Sequence, residues 1–166
     1  MSLIKIFLTE LEQEAASTRK MLKIVPDDKY DWKAHPKSMT IRALTTHIAE
    51  IPGWIEHGII NDGLDFATTP YSPKVVNSTK ELLQLFEESL AKAKTQLIEK
   101  NEAKLDGRWV MRNGDMVLMD LSKAEVIRHS LSQLIHHRAQ LGVYLRLLDI
   151  PIPGVYGPSA DERLFL

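Results

Sequence analysis

Apolar residues recur every three to four positions in four long stretches of this chain, the spacing that gathers them on one face of an α-helix. In the first stretch, from Leu3 to about Lys23, they are Ile4, Phe7, Leu8, Leu11 and Ala15. The segment "VPDDKYDWKAHPKSM" then breaks the pattern with two prolines and several turn-forming residues. The second stretch opens near Thr40, with Ser38 or Thr40 as its cap, and runs through "IRALTTHIAEIPGWIEHGII". Pro52 inside it removes the hydrogen bond to the Ile48 carbonyl and predicts a kink. Asn77 or Ser78 caps the third stretch, with Glu81 in the capping-box position relative to Ser78. Its stripe is Leu82, Leu85, Phe86, Leu90, Ala93 and Leu97. The fourth follows Ser122, carries Glu125 in the same capping position, and ends near Asp149, Ile150 and Pro151.

The connections differ in character. "NDGLDFATTPYSPKVVNS", residues 61–78, is long for a compact domain, and such loops tend to be functional or mobile. "RWVM" and "MVLM" flank Asn113-Gly114, which suits a tight turn; a short hairpin is expected there, with an irregular crossover as the alternative. The tail "PIPGVYGPSADERLFL" reads as an ordered coil. No internal repeat and no domain boundary interrupts the pattern. The expectation is therefore one all-α domain over 1–166, a four-helix bundle with a hairpin-like insertion before the last helix.

Composition narrows the function. The formal net charge is -1 and no long basic run occurs, which argues against general nucleic-acid binding. There is no cysteine, so disulfides, protein thiolates and Cys-type zinc sites are excluded. Any metal must be held by His, carboxylate, amide or water. Acidic residues come too early in "MSLIKIFLTELEQEAASTRK" for a signal peptide. No apolar run approaches the roughly 20 residues that span a bilayer. A cytoplasmic protein without membrane contact is the expectation.

Three of the six histidines lie in "RHSLSQLIHHRAQLGVYLRL", residues 128–147. A helix turns about 100° per residue, so Gln133 lies about 40° from His137 and one turn before it, on the same face. Ser130 and Tyr144 fall near the same line. His136 points about 100° away, and His129 is about 80° off and about 12 Å along the axis, too far to share a small ion with His137. A ligand pair spaced by four on one helix is how bundles build metal sites, with a further ligand from another helix. His47 is the best candidate, mid-helix among the apolar Leu44, Ile48 and Ile51. Its other reading is a core histidine satisfied by its neighbours. His57, near the helix end, is expected to face solvent, and His35 lies in a loop. Glu50, three residues after His47, reads either as an acceptor or base beside the site or as a solvated carboxylate.

"LIHHRAQLGVYLRLLDIPIPGVYGPSADE" and "YDWKAHPKSMTIRALTTHIAEIPGW" resemble the DinB-like (DinB/YfiT) superfamily, and the likeness spans nearly the whole chain. The resemblance implies an up-down-down-up four-helix bundle, often a homodimer, with a divalent metal, commonly Ni or Zn, at one end. It implies three ligands, matching His47 from the second helix and positions 133 and 137 from the last. Many members carry His at the position of Gln133 and some carry Glu. The Gln is a departure: it lacks charge and basicity and should weaken affinity for soft and borderline metals, ligating through its carbonyl oxygen or bonding a metal-bound water. Arg138 and His136 match family positions but point off the site line, toward packing, ion pairs or a subunit interface. Some relatives are metal-dependent thiol S-transferases or isomerases using low-molecular-weight thiols.

Two functions from different classes follow. In the first, His47, Gln133 and His137 hold a metal with open positions for water or a small-molecule thiol, supporting hydrolase or thiol-transferase chemistry. Tyr144 would donate to a ligand or pack in the core, and the 61–78 loop would cover the mouth. In the second, the site is degenerate and the bundle is a non-catalytic, dimeric or small-molecule-binding module.

Overall fold

The computed structural model describes residues 2–162. The chain is mostly helical, with four long α-helices: α1 (Leu3–Lys23), α2 (Ile41–Ile60), α3 (Thr79–Gln96) and α4 (Lys123–Leu147). Short 3-10 turns occupy Asp27–Lys29 and Glu99–Lys104. The all-α expectation needs correction, because three strands, β1 (Gly63–Asp65), β2 (Arg108–Asn113) and β3 (Met116–Ser122), form a small sheet in the order β1-β2-β3.

The helices start where local chemistry satisfies their first amides. Thr40, not Ser38, caps α2 by accepting from the Ala43 N–H, and Ser78, not Asn77, caps α3 by accepting from the Glu81 N–H. Glu81 reaches back one residue further than a capping box requires, to the Asn77 N–H. At α4 the box is complete, with Ser122 and Glu125 each accepting from the other's backbone. The Ser2 cap of α1 is reinforced from far away: the Glu102 carboxylate takes the Leu3 and Ile4 amides, 2.8 and 3.2 Å away. Helix α2 continues through Pro52 to Ile60.

α2 touches α3 and α4, and α1 touches the same two, so α1 and α2 are diagonal neighbours across a shared core. The stripes meet there: Ile4, Phe7 and Leu11 from α1, Leu82, Phe86 and Leu90 from α3, and Ile48, Ile51 and Ile55 from α2 are buried. Among the described residues no helix is long and apolar enough to cross a membrane.

The insertion is a hairpin. β2 and β3 pair antiparallel around Gly114, whose φ of 59° suits a residue without a Cβ. β1 comes from the long 61–78 loop and adds parallel to β2, with Gly63 opposite Val110. A Cβ at Gly63 would stand 2.2 Å from the Val110 carbonyl oxygen, so only glycine permits this approach. The Asp65 carboxylate bonds the Ala67 and Gly114 amides, which keeps its pKa low and ties the loop to the hairpin tip. Farther along the loop, Glu50 of α2 accepts from the Tyr71 hydroxyl and the Lys74 N–H.

Among the described residues one ion pair has both side chains buried. Arg138 of α4, 2% exposed, meets the Glu14 carboxylate of α1 at 2.6 Å. Its guanidinium also donates to the Glu14 carbonyl and the Thr18 hydroxyl. The tail folds back onto this group: the Tyr156 hydroxyl donates to Glu14, Arg138 donates to that hydroxyl, and Asp161 pairs with Arg146. The ordered coil expected from its Pro and Gly content is what the described part of the tail forms.

Removing one partner of a buried pair strands the other charge. Glu14→Ala is expected to cost about 3–5 kcal/mol in urea unfolding. Replacing both, as Glu14→Leu with Arg138→Met, should cost far less than either single change, because no uncompensated charge remains.

Candidate metal centre

α2 and α4 lie side by side and bring His47 and His137 together, edge to face with ring centroids 4.6 Å apart. Gln133 and His137, four residues apart, share a face as their spacing requires, and the amide oxygen of Gln133 stands 2.8 Å from His137 Nε2. The opposite ring nitrogen, Nδ1, lies 2.9 Å from the amide of Gln140. All three residues proposed as ligands therefore meet at one place on the α2–α4 seam. Both rings are half-buried. Burial, then the nearby His137, pushes His47 below the ordinary histidine pKa, against a smaller opposing effect of Glu50. Burial does the same to His137, partly offset by its hydrogen bond to Gln140.

Neutral imidazoles are the form that ligates a metal. Neutrality also constrains the amides. A neutral ring has one N–H and one lone pair, so His137 cannot donate to two amide oxygens at once. One of Gln133 and Gln140 must present its NH2 group to the ring, since amide oxygen and nitrogen are interchangeable by a flip. In either case Gln133 occupies the outward direction from Nε2, and an ion at that nitrogen has to replace this hydrogen bond.

The donor types suit a divalent ion of borderline softness: two imidazoles from different helices, with a side-chain amide beside His137. It carries no negative charge. Among the described residues no three His, Asp or Glu side chains are placed to hold a metal ion together. Glu50, the nearest carboxylate along α2, is engaged with the 61–78 loop through Tyr71 and Lys74. Tyr144 is also diverted, since its hydroxyl donates to the Met39 carbonyl and its ring meets Trp32 edge-on at 5.5 Å. Ser130 spends its proton on the Val126 carbonyl. His129 and His136 are exposed. In the 31–40 turn, His35 Nδ1 accepts from the Lys37 N–H.

The surroundings hold groups that helical spacing did not single out. β2 and β3 alternate their side chains, so Trp109 and Met111 share one face with their partners Leu121 and Met119. That face covers the α2–α4 seam beside Ile51, Trp54 and Val126 and encloses a cavity that reaches His47 and Gln133. His57 differs from its expected solvent position: it is half-buried, edge-on to Trp109 at 6.0 Å. Its Nδ1 and the Trp109 indole N–H are buried without a partner among the described residues. An unsatisfied donor of this kind costs about 1–3 kcal/mol. Alternation in "RWVM" and "MVLM" marks the hairpin face, but no local pattern says which helices it covers.

The chain matches the family model described as the DinB family over residues 1–163. It belongs to the DinB family, as the resemblance of its second and last helices indicated. The uncharacterized protein YrdA of Bacillus subtilis (strain 168) is 22% identical over 157 residues, covering 94% of this chain and 89% of that protein. A crystal structure of a DinB-like protein from Bacillus cereus superposes with a TM-score of 0.68 at 22% identity, covering 90% of this chain and 95% of that one. The mycothiol-dependent maleylpyruvate isomerase shares the fold at a TM-score of 0.55 and 14% identity, covering 86% of this chain and 63% of the isomerase.

Burial lowers the pKa of His57 as well, against a smaller effect of Glu56. A histidine depressed in the folded state contributes its full stability above its unfolded pKa of about 6.5. Below that pH the unfolded chain takes up protons first, and stability is lost as pH falls toward the folded pKa. Urea unfolding should therefore give a lower stability at pH 5.5 than at 7.5, and His57→Phe should shrink the difference.

Proposed function

We propose that the chain holds a divalent metal, Ni or Zn, through His47, His137 and the amide oxygen of Gln133. We propose further that it acts as a metal-dependent enzyme on a small-molecule thiol, as an S-transferase, or on water, as a hydrolase. The observation that carries this reading is the apposition of two half-buried imidazoles from α2 and α4 with the Gln133 side-chain amide on the same face. Likeness of fold to the mycothiol-dependent maleylpyruvate isomerase supports the thiol branch. The chain has no cysteine, so the sulfur must come from outside. When bound, a divalent ion stabilises a thiolate, or a hydroxide, at neutral pH. The chain's own groups bury both imidazoles, which lowers their pKa values and favours the ligating form, and hold His137 between two side-chain amides.

The Gln133–His137 hydrogen bond favours a second reading, a non-catalytic module with a degenerate site. In that case the amide closes the His137 nitrogen permanently. Homodimerisation and a cytoplasmic setting belong to the same proposal, and light scattering of the purified chain decides the first.

Elemental analysis of protein prepared without a His tag or chelator separates the two readings. Roughly one metal per chain, lost in His137→Ala, is the outcome expected from the three ligands. Gln133→His should tighten Zn or Ni binding by about tenfold or more, a scale at which even the outer partners of such sites change affinity. A chain that stays empty after loading with Ni and Zn sinks the metalloenzyme reading and leaves the module.

A further inference from the structure

Under the hairpin, beside the proposed centre, lies a cavity of about 140 Å³. Val126, Ser130 and Gln133 line it from α4, so it runs about 10 Å along that helix at a rise of about 1.5 Å per residue. His47 lines it from α2, so the cavity and the centre share His47 and Gln133. Most of the remaining wall is apolar: Ile51 and Trp54 from α2, and Met111, Met119 and Leu121 from the hairpin. The polar groups beside α4 are spent on the protein. The Ser130 hydroxyl donates to the Val126 carbonyl, and the Gln133 amide meets His137. No Asp, Glu, Lys or Arg is among the described residues that line the cavity.

Such walls select an occupant by elementary rules. An ion would leave its hydration with no counter-charge to replace it, so the occupant is neutral. An apolar protein cavity of about 150 Å³ accepts a benzene ring, which sets the size. The hairpin decides how firmly that size is held. Met111 and Met119 stand directly opposite each other in the β2–β3 ladder, and the register shifts next to them, between Met111 and Arg112. Directly opposed side chains on one face of a sheet lie close enough to pack, so the two methionines form one stretch of wall. Both are half-buried. Their unbranched, flexible chains are of the kind that adapts to an occupant.

We propose that this cavity receives the apolar part of the substrate, a neutral hydrocarbon-like group about the size of one aromatic ring, and that the Met111–Met119 pair is the wall that sets its size limit. As a substrate assignment this rests on the reading of His47 and Gln133 as part of a reactive centre. Occupancy of the cavity requires no metal.

The experiment uses the full chain, metal-free, with its six methionines labelled with 13C at the methyl group. The signals lost in Met111→Leu and Met119→Leu identify the wall. Toluene is the probe, because a bound aromatic ring displaces the signals of methyl groups packed against it. Both wall signals should move and saturate. Met116, 65% exposed, and Met21, which lines a separate groove between α4 and the tail, should stay in place. N-methylpyridinium has the shape of toluene with a positive charge, and should bind at least about tenfold more weakly. No saturable movement of the wall signals, equal movement of all six, or equal affinity for the cation overturns the proposal. Met119→Ala should bind naphthalene at least about tenfold more tightly than the wild-type chain does, because the second ring no longer overpacks the wall. Met119→Trp should abolish toluene binding. Urea unfolding verifies that each variant folds, and unchanged affinities in folded variants overturn the wall assignment. If neither folds, the wild-type comparison of toluene with its cationic analogue decides. Metal content is measured on the same preparations. Toluene binding by a chain that takes up no metal overturns the reading of the centre and leaves a binding cavity. Metal uptake without toluene binding overturns the cavity assignment alone.

Discussion

The candidate site depends on the rotational phase of α4, and the buried pair of Arg138 and Glu14 sets that phase. Arg138 is anchored on α1 by the carboxylate and carbonyl of Glu14 and the hydroxyl of Thr18. A helix turns about 100° per residue, so with Arg138 held against α1 its neighbour His137 must face another way. That way is α2, where His47 waits. Buried ion pairs contribute little net stability when compared with apolar replacements. Their value here is positional: a different rotation of α4 would leave two opposite charges unpaired in the core. The tail adds to the lock, since the Tyr156 hydroxyl joins the same network from the far end of the chain.

Around that fixed seam the chain builds a roof from two separate segments. The hairpin β2–β3 supplies an apolar face, and β1 holds it from the side through the contact that only Gly63 allows. Glu50 and Asp65 anchor the intervening loop by accepting from backbone amides, so the one carboxylate close to His47 in sequence has a structural task. The roof lowers the local dielectric. Burial pushes the histidine pKa values down and makes any unpaired polar group beneath the roof expensive. The indole N–H of Trp109 and Nδ1 of His57 bear that cost.

Gln133 governs how the seam can be used. With His or Glu in its place, the third group would be a stronger ligand. As an amide it supplies either a weak oxygen ligand or a hydrogen bond that occupies His137. The same atoms thus describe an open centre and a closed one, and the difference is a single amide rotation and the strength of the metal bond that competes with it.

The sequence by itself determined the helices, because each has a one-sided apolar stripe and a capping residue, both written within a few positions of one another. Ser122 with Glu125 and the stripe from Leu82 to Leu97 are of this kind. It determined the hairpin through alternation around Asn113-Gly114, and the shared face of Gln133 and His137 through four-residue spacing. The family likeness pointed to His47 as their partner. Tertiary structure decided the rest. A three-residue strand at Gly63–Asp65 has no periodicity to reveal it and exists only because β2 lies alongside. Tyr144 and Glu50 look like site residues by angle or spacing, yet contacts with Met39, Trp32, Tyr71 and Lys74, residues distant in sequence, draw them off. His57 was expected at the surface because its helix ends nearby, and the hairpin covers it. Local patterns carry the geometry of one element, whereas burial and hydrogen-bond partners belong to pairs of elements and arise only when the chain has closed on itself.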